Sequence, residues 1–450
     1  MRFKGTLVLA VIFAALGTYV YLYEVKGGAK RERAKELAKK VFPFEEDEVK
    51  GLSLRYSGRT VVCSKEQEGE WKITSPVETD GDKTAIERIV TDLRNLKFDR
   101  VVVDSAAQLS EFGLSDPEVE VSLELEEGAT DTLLLGDKSP TGSYVFAKRS
   151  SQPEVFTLSA WTLDSMRKTL YDLRDKRVLA FEKDEVKKLE LSQKGKKIVC
   201  TKSDSKWQME VPIRVKADKG EVEGMLNKLN NSRVKEFVSE EPKDLSKYGL
   251  DKPRLEVTLW IGEHMAKKLL KIGNMDRDRY YAKDESRNPV FLVESDLVKE
   301  LGKEVFDLRD KTVAEFEKDD VNRVELVYAD SSIVCVKDTV GNWMIVKPVE
   351  RKAKRWKVNS ILSDIKYLKA KEFVAERAPK LSRYGLDNPQ IEARLWKDEK
   401  LLVSLLIGKK KDNSVYAKTG QKETVYLVSS NIVDDLSLKV DDIAEEAGEK

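Results

Sequence analysis

Apolar and polar residues alternate over much of the chain, as in RTVVCSK (59–65), VEVSLEL (119–125) and LEVTLWI (255–261), the period of two expected of half-buried strands. The period then switches. Ile86, Ile89, Val90, Leu93 and Leu96 fall at i, i+3, i+4, i+7 and i+10, and Val358, Ile361, Leu362, Ile365 and Leu368 repeat that stripe, predicting a helix with one buried face. A second meander of strands follows each stripe (VEVSLEL, DTLLLGD, SYVFAKR, EVFTLSA in the first instance), and a closing helix is expected from Leu163 to Asp175, Leu297 to Asp310 and Ile432 onward. The order strands, helix, strands, helix predicts α+β architecture rather than a parallel sheet.

The whole order recurs. Cys63, Cys200 and Cys335 are separated by 137 and 135 residues, and Trp71, Trp207 and Trp343 by 136 and 136. Gly113-Leu114, Gly249-Leu250 and Gly385-Leu386 follow their tryptophans by 42 residues, and Pro117, Pro253 and Pro389 come four after each glycine. The expected fold is therefore three tandem repeats of antiparallel β-meanders with packed helices, preceded by one transmembrane helix. The boundaries are 1–25 for the anchor, 26–43 for a charged juxtamembrane segment, 44–177, 178–312 and 313–443 for the repeats, and 444–450 for a charged tail. DLRDKRVLAFEKDEV runs from one copy into the next without a Gly/Ser or Pro-rich linker, which suggests copies that pack on one another, the alternative being large repeats that stand as separate beads.

Each landmark has a structural reading and a functional rival. The three cysteines share a strand face with Val61, Ile198 and Ile333, which predicts buried thiols; a reactive thiol would want a basic, exposed niche. The tryptophans lie two residues before large apolar side chains and read as core. FEEDEV, FEKDEV and FEKDDV read as solvated turns, because a calcium loop needs regularly spaced oxygen ligands and a glycine. LSEFGLSDP, LSKYGLDKP and LSRYGLDNP read as a short helical turn stopped by glycine in the left-handed conformation, or, through Phe112, Tyr248 and Tyr384, as a recognition loop.

The N-terminus is different in kind. Gly5 to Tyr23 holds nineteen residues without a charge, which as a helix would be about 28 Å long, close to the hydrocarbon thickness. Tyr19, Tyr21 and Tyr23 stand at its end, where headgroups favour such rings. The rival is a cleaved signal peptide, but no A-x-A-like site closes the run. Lys26, Lys30, Arg31, Arg33, Lys35, Lys39 and Lys40 outnumber Arg2 and Lys4, a count that read naively votes for a cytoplasmic body, but Glu24, Glu32 and Glu36 are interleaved and the sequence alone leaves sidedness open.

Composition adds mostly exclusions. The 450 residues carry 81 basic and 80 acidic side chains, a mixed-sign surface on which no nucleic acid is expected. The single histidine, His264, lies at an expected hairpin turn and permits neither a His triad nor a two-His metal site. No phosphate-cradling glycine motif follows a strand, so no cofactor, metal or catalytic residue is assigned and the chain is expected not to be an enzyme. One stretch departs from charge balance: Arg351, Lys352, Lys354, Arg355 and Lys357 surround Trp356, either a grip for an anionic ligand or a solvated helix start.

FPFEEDEV, GEWKITSPVE, LSEFGLSDP, LLLGDKSPTG, VFAK and FDLRDK together resemble the bacterial family known as domain of unknown function 4340. Copy one matches nearly end to end, whereas KIGNMDRDR and LIGKKKDNS replace the LGDKSPTG turn in copies two and three. The resemblance implies a single-pass, largely extracytoplasmic protein, similar in setting to auxiliary components of ABC-type transport systems, including gliding-motility assemblies. It implies a membrane location through the N-terminal helix and a protein partner in a membrane complex, and it supplies no catalytic residues. The expected function is a non-enzymatic scaffold or binding module; the alternative is an extracytoplasmic enzyme or ligand carrier acting on envelope polymers.

Overall fold

The computed structural model describes residues 3–21, 37–105 and 108–446. Leu22 and Tyr23 at the end of the expected span, residues 26–36 of the expected juxtamembrane segment and 447–450 of the expected tail lie outside the described residues. The chain divides into two compact units, one of residues 1–178, 233–243 and 288–293, the other of 179–232, 244–287 and 294–450.

In the first copy the strands are β1 (Val49–Tyr56), β2 (Arg59–Lys65), β3 (Trp71–Ser75), β4 (Thr79–Asp80), β5 (Val101–Val103), β6 (Val119–Leu125), β7 (Thr130–Lys138), β8 (Tyr144–Arg149) and β9 (Val155–Ser159). They form one nine-stranded sheet in the order β4-β3-β2-β1-β6-β7-β8-β9-β5, and the two later copies repeat that order. The two meanders are thus halves of a single sheet, joined through β1 and β6. Leu52 faces Cys63 on one side and Leu123 on the other, and Leu54 faces Val61 and Val121, so the alternation seen in the sequence fixes a common buried face. β4 and β5 are edge strands too short to show a period in the sequence.

The helix Lys83–Arg94 covers that face. Asp82 caps it, accepting from the Ala85 amide at 3.1 Å, and Ile86, Ile89, Val90 and Leu93 are buried with Cys63 and Trp71 in one core. Burying each such side chain is worth about 1.5–3 kcal/mol. The core tryptophans and cysteines are found in place, and so is the expected stripe as far as Leu93; Leu96 lies past the helix end and is only partly buried.

The continuous closing helix is corrected. Leu163 to Asp175 is broken into Ala160–Met166 and Leu170–Leu173, and the later copies break likewise, into Ser295–Leu301 with Val305–Leu308 and Asn431–Leu436 with Val440–Ile443. Arg167 leaves the helical region at ψ 76°, and a new cap starts the second segment: the Thr169 hydroxyl accepts from the Asp172 amide, and the Asp172 carboxylate accepts from the Thr169 amide at 2.8 Å. In copy two the Asp307 carboxylate accepts from the Glu304 amide in the same way. The apolar spacing concealed a T-x-x-D cap.

The acidic phrases form short exposed 3-10 turns, Glu46–Glu48 being the first. The glycine phrases are caps as expected: Gly113, Gly249 and Gly385 have φ of 67°, 66° and 66°, and the Leu114 amide donates back to the Leu109 carbonyl at 2.9 Å. Their aromatic residues pack edge-on within each copy, Phe112 on Phe146, Tyr248 on Tyr281 and Tyr384 on Tyr416 at 5.0–5.1 Å. A second glycine completes the contact. A Cβ on Gly136, Gly273 or Gly408 would overlap the carbonyl oxygen of Phe112, Tyr248 or Tyr384, so turn and sheet touch backbone to backbone.

At the N-terminus a helix spans Phe3–Val20, 18 residues, with Val11, Ile12, Phe13 and Leu16 exposed. Among the described residues no helix is long and apolar enough to cross a membrane, so the span expected over 1–25 is not found there.

Candidate functional site

The chemistry considered from sequence distributes unevenly. His264 is exposed at a hairpin turn, and no cluster of three or more His, Cys, Asp or Glu that could hold a metal occurs among the described residues. Burial pushes each of the Cys63, Cys200 and Cys335 thiols up to about 12, so none is a thiolate at neutral pH.

The basic stretch of copy three does not form one surface. Arg351 and Lys352 make a two-residue strand against Ile345 and Met344, and Arg351 is held by Asp441 at 2.7 Å and by the Glu445 carbonyl at 3.2 Å. Lys354 caps the helix Arg355–Lys366, its amide donating to the Ile443 carbonyl at 2.7 Å. Arg355 and Trp356 are exposed on the first turn, and Lys357 is half-buried beside them.

The phrase YDLRDK (171–176), at the end of the closing helix expected from Leu163 to Asp175, does more. The capped segment Leu170–Leu173 aims the next residue, Arg174, out of copy one and into the copy-two strand Glu236–Ser239; both lie in the first unit. Arg174 is 2% exposed, its guanidinium stacked on the Phe237 ring at 3.7 Å and bound by both terminal nitrogens to the Glu240 carboxylate at 2.6 and 2.7 Å. The Tyr171 hydroxyl donates to the Val234 carbonyl at 2.8 Å. Within the second unit the joint recurs: Arg309 lies on Phe373 at 3.6 Å and binds both oxygens of Glu376. Only arginine offers a planar, always-charged fork that stacks and pairs at once. In copy three Ala444 stands at the corresponding position, after Ile443 in place of Leu173 or Leu308.

Among the described residues of the first unit, cavities adjoin the break after Met166 on either side. The larger, about 1030 Å³, is lined by Tyr56, Arg59, Lys168, Thr169, Arg174 and Phe237 among others. The smaller, about 670 Å³, is lined by Asp82, Arg88, Asp92, Trp161, Asp164 and Lys168 among others. Lys168 belongs to both. Trp161 is 58% exposed at the smaller cavity, at a helix position occupied by Asp296 and Asn431 in the later copies. Sequence reasoning missed Trp161, Lys168 and Arg174; comparing the copies for residues that break the repeat would have found the first.

The family model described as domain of unknown function (DUF4340) matches residues 71–214, 207–341 and 343–447, and the chain belongs to that family. Its three matches correspond to the three copies. No curated protein matches the chain.

Proposed function

We propose that this member of the domain-of-unknown-function-4340 family is a non-enzymatic, membrane-anchored scaffold and binding module, with its copies on the extracytoplasmic side as an auxiliary component of an ABC-type transport or gliding-type envelope complex. The observation that carries the scaffold reading is the arginine joint. A buried arginine at the end of a copy, Arg174 and again Arg309, stacks on an aromatic ring of the copy that follows and pairs with its glutamate. Repeated units tied in this way suit a protein that presents binding surfaces to partners. Anchoring is supported by the uncharged run from Gly5 and by the exposure of Val11, Ile12, Phe13 and Leu16 on the N-terminal helix, side chains that water disfavours. The extracytoplasmic side and the transport setting rest on the family resemblance alone.

Affinity purification of tagged full-length protein from native membranes tests this reading. Recovery of membrane transport subunits is expected, and recovery of the chain alone would contradict it. A C-terminal reporter fusion active only outside the cytoplasm is expected to score positive.

A further inference from the structure

In copy two the lysine between the two closing helices is neutralised within its own copy. Lys303 pairs with Glu221 at 3.0 Å and with Glu300 at 3.2 Å. On the neighbouring hairpin Lys196 faces Glu304 at 3.7 Å, and Gln193 Nε2 donates to the Lys303 carbonyl at 2.8 Å, bolting the hairpin to the helix break.

Copy one keeps the cations and lacks the carboxylates. Lys168 stands at the position of Lys303, while Ala85 and Ser165 stand at those of Glu221 and Glu300. Arg59 stands at the position of Lys196, and Thr169 at that of Glu304. The Lys168 ammonium and the Arg59 guanidinium have no hydrogen-bond or ion-pair partner among the described residues. The Tyr56 hydroxyl, at the position of Gln193, has none either, whereas Tyr328 at that place in copy three donates to the Leu436 carbonyl at 2.7 Å and accepts from the Leu438 amide at 3.1 Å.

All three groups line the 1030 Å³ cavity, beside an apolar wall that includes Val61, Pro76 and Leu170. Of its two carboxylates, Glu240 is held by Arg174 and Glu236 is exposed. Uncompensated cations beside a concave apolar surface are the arrangement that recognises an anion on an apolar carrier.

We propose that this cavity binds a ligand with a phosphate head group on an apolar body. The phosphate takes the place of the carboxylates that copy two supplies itself, meeting Lys168 and Arg59 with the Tyr56 hydroxyl as donor, and the apolar body lies along Val61, Pro76 and Leu170. The site gives the binding-module reading a ligand class and rests on it, but it needs no transport partner. The phosphate can come from a membrane lipid or from a soluble organic phosphate.

The test is calorimetric titration of the full chain in phosphatidylcholine nanodiscs. The probes are dihexanoylphosphatidylglycerol, phenyl phosphate and, as zwitterionic control, dihexanoylphosphatidylcholine. One saturable site per chain is expected for at least one anionic probe and none for the control. Saturation by the glycerolipid alone assigns a lipid source, and saturation by phenyl phosphate with equal or higher affinity assigns a soluble one. Lys168→Glu and the carboxylate-restoring double variant Ala85→Glu/Ser165→Glu are each expected to weaken binding at least about tenfold. Arg59→Glu, on an exposed hairpin, gives the same readout should either of those variants fail to fold. Absence of saturable binding by both anionic probes, equal binding of the control, or unchanged affinity in folded variants would overturn the proposal. Binding retained while co-purification from membranes fails would instead remove the proposed complex and leave the site.

Discussion

Arg174 rests its guanidinium on the Phe237 ring, 3.7 Å from the centroid, and the same ring meets Phe291 edge-on at 6.2 Å. An arginine from the end of one copy thereby packs against two aromatic strands of the next, all within the first unit. Lysine cannot reproduce this, because a point charge neither stacks nor forks. Arg174→Lys is expected to lower unfolding stability by about 2 kcal/mol, a value held down because Glu240 is partly exposed to water. Urea denaturation of the full chain checks it, and an unchanged midpoint would count against the joint.

Two glycine substitutions should have opposite signs. A Cβ on Gly136 collides with the Phe112 carbonyl, so Gly136→Ala is expected to cost about 3 kcal/mol, as overpacking against rigid backbone does. Gly224 lies inside the helix Lys219–Asn231 with open space around it, so Gly224→Ala is expected to gain about 0.5–1 kcal/mol. Thermal unfolding of the two variants side by side reads both.

The three thiols should be silent in the native protein. Burial raises each to about 12, so at pH 8 a disulfide reagent is expected to titrate essentially none of them until denaturant is added, and then three per chain. Rapid native reaction at any one would show a niche more open than the sheet interior described above.

Asp310 gives a pH dependence. Burial by itself would raise its carboxyl, but the Lys216 ammonium at 2.9 Å and hydrogen bonds from Thr312 outweigh it and hold the carboxyl below the usual range. A depressed folded-state value means that the stabilisation is complete above the unfolded carboxylate value near pH 4 and is lost as pH falls through the folded one. Asp310→Asn is therefore expected to be less stable than the parent at pH 7, with the difference shrinking below pH 4. Denaturation midpoints across pH 2–7 measure it, and a difference independent of pH would contradict the assignment.

Local periodicity made much of this fold legible in the sequence. The stripe from Ile86, the alternation around Cys63 and the left-handed Gly113 each follow from residues close in the chain, and each is found where expected. Joining β1 to β6 is a pairing across some sixty residues that alternation alone does not specify, since every strand has the same face pattern. The helix break at Arg167 was hidden because Leu163, Met166 and Leu170 keep a helical spacing across it. The site was less legible still. Lys168 becomes conspicuous only beside Lys303, when the glutamates around the latter are seen to be missing, and Arg174 only when its partners Phe237 and Glu240 are known. The basic run around Trp356 stood out in sequence, yet the fold divides it between a strand and a helix start and ties Arg351 to Asp441.

The central claim is that these arginines join one copy to the next, and a double-mutant cycle on Arg309 and Glu376 tests it most directly. Arg309→Ala, Glu376→Ala and the double variant would be compared by urea denaturation of the full chain. A coupling energy of about 1–2 kcal/mol is predicted, less than for a fully buried pair because Glu376 is half-exposed. A coupling indistinguishable from zero, with each single variant as stable as the parent, would contradict the account.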